Sequence, residues 1–164
     1  MTGAGTWSLA EGDYRRITQH LNSLLVESGA RSALVVDRTG QLLASVGEQL
    51  TFDPAAFASL TAADFSANDQ LAKMIGEAEF ASLFHQGEKE SMYLADVARR
   101  VILVVLFDQR TTVGMVRLRV KQTVSDLSAI FEEMFRRAAS AEAAGQDQGI
   151  LEGAEDEIDR LFGD

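Results

Sequence analysis

The sequence predicts an α+β fold: a five-stranded antiparallel sheet flanked by helices, in the order helix, two strands, helix, three strands, helix, with a C-terminal tail. Three observations predict it. Residues 101–107 (VILVVLF) form an unbroken run of β-branched, aliphatic and aromatic side chains, as in a strand buried on both faces. Strand signals recur around turn-length gaps, and strands joined by hairpins must run antiparallel. Segments of helical periodicity separate and flank them, supplying the layers a sheet needs to bury its faces.

Taken in order, residues 1–10 carry Gly, Thr and Ser with a lone Trp7 and read as a mobile arm. A helix starts near Glu11. Tyr14, Ile17, Leu21, Leu24 and Leu25 recur at steps of three and four, and Gly29 ends it. Strands at 32–36 and 41–46 flank Asp37-Arg38-Thr39-Gly40, whose Asp and Gly suit a tight hairpin. Asp53-Pro54 opens a second helix: the carboxylate caps free N–H groups and proline is favoured in the first turn. That helix is expected to run to about Ile75. Phe57, Leu60, Leu71 and Ile75 line one side as a core face, with Asp64 and Asn68 awkwardly among them. Ala62, Ser66, Asp69, Gln70 and Lys73 lie opposite. Residues 78–86 read as a helical turn burying Phe80 and Phe84, and a strand follows at 91–97.

The run 101–107 then turns at 108–111 into an alternating stretch. Gly114, Val116, Leu118 and Val120 fall on one side; Met115, Arg117, Arg119 and Lys121 fall on the other. This reads as a half-covered strand. A last helix spans about 123–139, with Val124, Leu127, Phe131, Met134 and Phe135 on one face. The domain is thus expected over 11–139. Residues 140–149 (SAEAAGQDQG) carry nothing to bury and read as a flexible linker. Residues 150–164 form an acidic, amphipathic tail. In it Ile150, Leu151, Ile158, Leu161 and Phe162 share a helical face, too short to be stable alone and suited to folding on a partner.

Composition narrows the function. With 164 residues, 46% hydrophobic and 24% charged, the chain is ordinary globular material. A net charge of −10 argues against nucleic-acid partners, which need a basic footprint. No apolar run approaches the ~20 residues of a membrane span, and the N-terminus lacks signal-peptide character, so a cytoplasmic location is expected. Cysteine is absent. The two histidines, His20 and His85, have no partner at ligand spacing, so no metal site is expected. No Walker loop and no Gly-x-Ser-x-Gly elbow occurs. Arg110 stands at a turn from which it could reach a partner, as arginines supplied in trans do in phosphoryl transfer, although pinning its own turn is the simpler role. The apolar strand 91–97, with Met92, Tyr93, Leu94 and Val97, is expected at the sheet edge, where pairing with a second copy would cover it. The expectation is a binding protein without a catalytic centre of its own.

Four stretches carry a resemblance: ALVVDRTGQLLAS (33–45), LTAADFSANDQLAKMIGE (60–77), FHQGEKESMYL (84–94) and VILVVLFDQRTTVGMVRLRVK (101–121). In this order and spacing the chain, over about residues 14–135, resembles the bacterial Roadblock/LC7 family. The resemblance is to those members that activate the Ras-like GTPase MglA in cell polarity and motility. The tail motif DEIDRLF (156–162) is similar to a partner-binding C-terminal helix of some members. The resemblance implies a homodimer with sheets joined edge to edge and its second helices paired on one face. It implies an MglA-like GTPase docked there, one per dimer, on Ala62, Phe65, Ser66, Asp69, Gln70 and Lys73. Hydrolysis would be stimulated by remodelling the GTPase, without an arginine finger. The tail helix would bind a separate place on the GTPase and aid exchange. GTP and magnesium would belong to the partner, so no cofactor is expected here, and the cytoplasm extends to a cell pole as the site of action. Two other readings remain open: a scaffold that never stimulates hydrolysis, and a small-ligand sensor domain.

Overall fold

The structure is a computed structural model in which residues 9–162 are described, so Trp7 and most of the expected N-terminal arm lie outside the described residues. The chain divides into two compact units at Ile130 and Phe131. The element order is α1 (Glu11–Ser28), β1 (Ser32–Asp37), β2 (Leu42–Gly47), α2 (Pro54–Met74), β3 (Ser82–Gln86), β4 (Glu90–Val97), β5 (Val101–Asp108) and α3 (Val113–Phe162).

Local chemistry accounts for the boundaries. α1 ends where Gly29 adopts a φ of 74° and donates its N–H to the Leu25 carbonyl at 3.0 Å, a left-handed cap open to glycine at little cost. In the first hairpin the Asp37 carboxylate accepts from the Thr39 hydroxyl at 2.7 Å and from the N–H groups of Thr39 and Gln41 at 3.0 and 2.9 Å. Asp53 Oδ1 accepts from Ala55 N–H at 3.1 Å, capping α2 just ahead of Pro54. The β4–β5 turn is less comfortable. Ala98 and Arg99 both take positive φ, 52° and 58°, where glycine or asparagine would fit better.

The sheet order is β2-β1-β5-β4-β3, and every pairing is antiparallel. β1 is buried at all six positions, and β5 is buried at all but Leu106 and Asp108, because each has a strand on both sides and helices above and below. Leu34, Val36, Leu94, Ile102 and Val104 form one core with Ala58 and Phe65 of α2. On the opposite face lie α1 and the α3 residues up to Ile130. His20 of α1 lies 3.5 Å from Asp126 of α3, and the Thr111 hydroxyl, just ahead of α3, donates to the Ser28 carbonyl at 2.6 Å.

Two segments exchange strand and helical turn relative to the sequence reading, and these differences compensate. Residues 114–121 are helix, not strand. Burial follows Val116, Val120, Thr123 and Leu127, a helical period, while Leu118 is 59% exposed. The alternation at 114–120 satisfied both periods over too short a window. Residues 82–86, expected within a helical turn, are β3. Phe84 stands opposite Tyr93 in the ladder and stacks on Phe107 with ring centroids 6.1 Å apart. The count of five strands therefore holds with one strand exchanged. Residues 140–149, expected as a linker, are helical within α3. In the second unit Phe131 and Phe135 stack at 6.3 Å, and every residue from 138 to 162 is exposed.

Candidate protein-docking site

The free edges of the sheet are β2 and β3. β4 is not an edge: it pairs with β3 on one side and β5 on the other. Tyr93, Leu94 and Val97 are buried within the protomer and Met92 packs against the α2-side core. The apolar character that suggested an edge reflects burial on both faces. The edge on that side, β3, is short and largely polar, and it is hidden in the sequence because Phe84 suggests a buried turn.

α2 is rotated by roughly 100° from the expected orientation, about one residue step on the helical wheel. Its buried side is Ala58, Thr61, Ala62, Phe65, Asn68 and Ala72. Small side chains let the helix axis lie close to the sheet, with Phe65 as the one fully buried large side chain and Phe57 partly buried against the same core. Most of the expected core side faces outward instead: Leu60 is 70% exposed, Leu71 57% and Ile75 71%, while Phe57 still packs against the core and Asn68 is buried. Of the expected docking residues, Ser66, Gln70 and Lys73 are exposed, whereas Ala62 and Phe65 are core. Asp69 is occupied elsewhere: its Oδ2 accepts from Arg38 at 2.7 Å.

Leu60, Ala67, Leu71 and Met74 recur along α2 as one exposed apolar stripe. Beside it, Asp64 Oδ2 lies 2.6 Å from His85 Nε2 on β3, so this side of α2 adjoins the free strand edge. An exposed apolar stripe next to an unpaired edge is what an assembly interface requires. The polar flank of α2, with Ser66, Gln70 and Lys73, is also exposed.

Beneath α2, Arg38 reaches Asp69 and Asp96 and stacks over Phe65 at 4.8 Å. Burial disfavours its charge, but the hydrogen bonds to Asp69 and then Asp96 outweigh that and raise its pKa. Arg38 Nε, Asn68 Nδ2 and Asp69 Oδ1 are buried without protein hydrogen-bond partners.

At the other end of the sheet Arg110 donates to Asp108 at 3.0 Å and to Glu48 at 2.9 Å. Arg31 donates to Glu48 at 2.6 Å and also contacts Glu90. Hydrogen bonds from Arg31, then Arg110, hold the Glu48 carboxyl below its ordinary value, and the Arg110 side chain does the same for Asp108. Arg110 thus pins its own turn. The tail residues Ile150, Leu151, Ile158, Leu161 and Phe162 are each more than half exposed. Among the described residues, no group of three or more His, Asp or Glu side chains has metal-binding geometry, and no helix is long and apolar enough to cross a membrane.

Comparison with known proteins places this architecture. Residues 16–107 match the family model described as the Roadblock/LC7 domain. The structure is similar to Myxococcus xanthus MglB, with 41% sequence identity and a TM-score of 0.73, over 77% of this chain and 96% of that one. It is similar to the gliding protein MglB from Thermus thermophilus, with 34% identity and a TM-score of 0.74, over 78% and 97% of the two chains. A Roadblock/LC7 domain from Streptomyces avermitilis shares the fold at 11% identity, with a TM-score of 0.63 over 70% and 96%. No curated protein matches. This chain, with its α-β-β-α-β-β-β-α order, five-stranded antiparallel sheet and long C-terminal helix, belongs to the Roadblock/LC7 family and is MglB-like.

Proposed function

We propose that this chain is a homodimeric activator of a small MglA-type GTPase acting in cytoplasmic cell polarity and motility, with GTP and magnesium bound by the partner. The observation that carries the reading is the apolar stripe of α2 beside the free edge of β3. Two copies pairing along β3 bring their second helices together and cover both features at once. The exposed flank carrying Ser66, Gln70 and Lys73 then offers the GTPase a short-chained surface for close approach. The proposed docking face keeps these three residues and drops Ala62, Phe65 and Asp69, which serve the protomer. Arg110, held by Asp108 and Glu48, acts on its own turn, so the partner's own residues carry out hydrolysis. The tail stripe Ile150, Leu151, Ile158, Leu161 and Phe162 provides a second contact with the GTPase, which aids nucleotide exchange. The likeness to Myxococcus MglB at 41% identity supports the same reading.

The test is GTP hydrolysis by an MglA-type GTPase with and without this protein. The natural chain accelerates hydrolysis. Ser66→Arg, checked by circular dichroism, abolishes the acceleration by placing a bulky charge at a close contact. Docking without acceleration by the natural chain would make it a scaffold. Full acceleration by Ser66→Arg would move the docking face away from α2.

A further inference from the structure

On the sheet face opposite α2, a cavity of about 370 Å³ lies between α3 and the β3–β4 pair. Its apolar lining is Tyr93 and Ala95 from β4 with Val120 and Val124 from α3. Arg117 and Lys121, four residues apart on α3, make it cationic. The Arg117 guanidinium lies over the Tyr93 ring at 6.0 Å, and among the described residues neither cation has an acidic partner. The remaining charged lining group, Asp96, is already bound by Arg38. Two unpaired cations beside an apolar hollow, in a chain of net charge −10, form a site complementary to apolar groups flanked by negative charge.

We propose that this cavity docks an acidic segment of a partner protein. The segment inserts one aromatic or branched aliphatic side chain over Tyr93 and Ala95 and sets its flanking carboxylates on Arg117 and Lys121. The volume is near the lower end of the ~300–1,000 Å³ typical of ligand pockets, which suits a single large side chain better than a whole helix. The site is on the opposite face of the sheet from the α2 surface and stands whether or not a GTPase docks there.

The experiment titrates the isotope-labelled full chain with a fluorescein-labelled peptide of one phenylalanine flanked by two glutamates on each side. Amide shifts at Tyr93, Val120 and Val124, with saturable anisotropy, are expected. The glutamine-for-glutamate peptide should bind at least about tenfold more weakly, and so should the natural peptide to Arg117→Glu/Lys121→Glu, as exposed charge contacts add up. Both positions are exposed, so the variant should keep its circular dichroism; if it does not fold, the glutamine peptide on the natural chain decides alone. No binding at millimolar peptide overturns the proposal, as does equal affinity for the two peptides. Phenylpropionate binding as tightly as the peptide would assign the cavity to a small carboxylate and overturn a peptide site. A change in oligomeric mass in the charge-reversed variant, without a change in peptide affinity, would assign it to contacts between copies.

Discussion

Asp64 Oδ2 lies 2.6 Å from His85 Nε2, tying the middle of α2 to the free edge strand β3. The pair marks the line along which the apolar stripe of α2 and the unpaired backbone of β3 run side by side. It also resolves the awkward presence of Asp64 on what the sequence suggested was a core face: that side of the helix is outside, facing the edge.

Leu71→Glu should therefore separate the proposed dimer without unfolding the protomer. Leu71 is 57% exposed, so the substitution removes little from the core. In sedimentation velocity at micromolar concentration, the natural chain should run as a dimer and the variant as a monomer with unchanged circular dichroism. A natural chain that runs as a monomer would refute the proposed pairing.

Arg38→Met should destabilise the protomer by about 2–3 kcal/mol, below the ~3–5 kcal/mol of a fully buried pair because the Arg38 side chain is 27% exposed. The loss leaves Asp69 and Asp96 without their counter-ion. Urea denaturation checks the magnitude. Adding Asp69→Asn and Asp96→Asn should recover part of the loss, since fewer charges are then left uncompensated.

The arginine cluster at the opposite end gives a pH signature. Glu48 and Asp108 have carboxyl pKa values below their reference values of 4.5 and 3.8. Their contribution is fully present above the ordinary values and is lost as pH falls through the lowered ones. Arg110→Ala should therefore lower the melting temperature at neutral pH, and its difference from the natural chain should shrink as pH drops below about 4. Calorimetry across pH 3–7 reads it, and high salt should blunt the difference. GTPase stimulation should survive this substitution. A loss of about 10³-fold with docking intact would instead make Arg110 an arginine finger.

The β4–β5 turn offers a gain. Ala98 and Arg99 sit at φ values of 52° and 58°, which cost a side-chain-bearing residue free energy. Ala98→Asn with Arg99→Gly should stabilise the protomer by about 1 kcal/mol despite losing the exposed Arg99–Glu79 ion pair at 3.4 Å. Thermal denaturation showing no gain would mean the turn is not strained in solution.

Much of the fold is legible in the sequence because its boundaries are set by local chemistry. Asp37 with Gly40, Asp53 with Pro54, and Gly29 each act through their nearest neighbours. The site was harder to read because α2 carries apolar residues on two sides. Periodicity shows that Leu60, Leu71 and Phe65 are helical, but only the sheet decides which of them it receives. It takes the Ala58, Ala62 and Ala72 side, where volume is smallest. For the same reason Val116 and Val120 were ambiguous over the first turns of α3, until Leu127 extended the helical period.

The division of α2 into inward alanines and outward leucines has a consequence for inheritance. Its inward alanines resist enlargement: Ala58→Leu would force the helix off the sheet and be eliminated through misfolding. Its outward leucines resist polarity for a different reason under the proposed pairing, since Leu60→Gln should leave the protomer folded and harm only that assembly. A lineage that lost its partner would relax the outer stripe first while the alanines stayed fixed. The ratio of change on the two sides of this one helix would then record how long the protein had been without company.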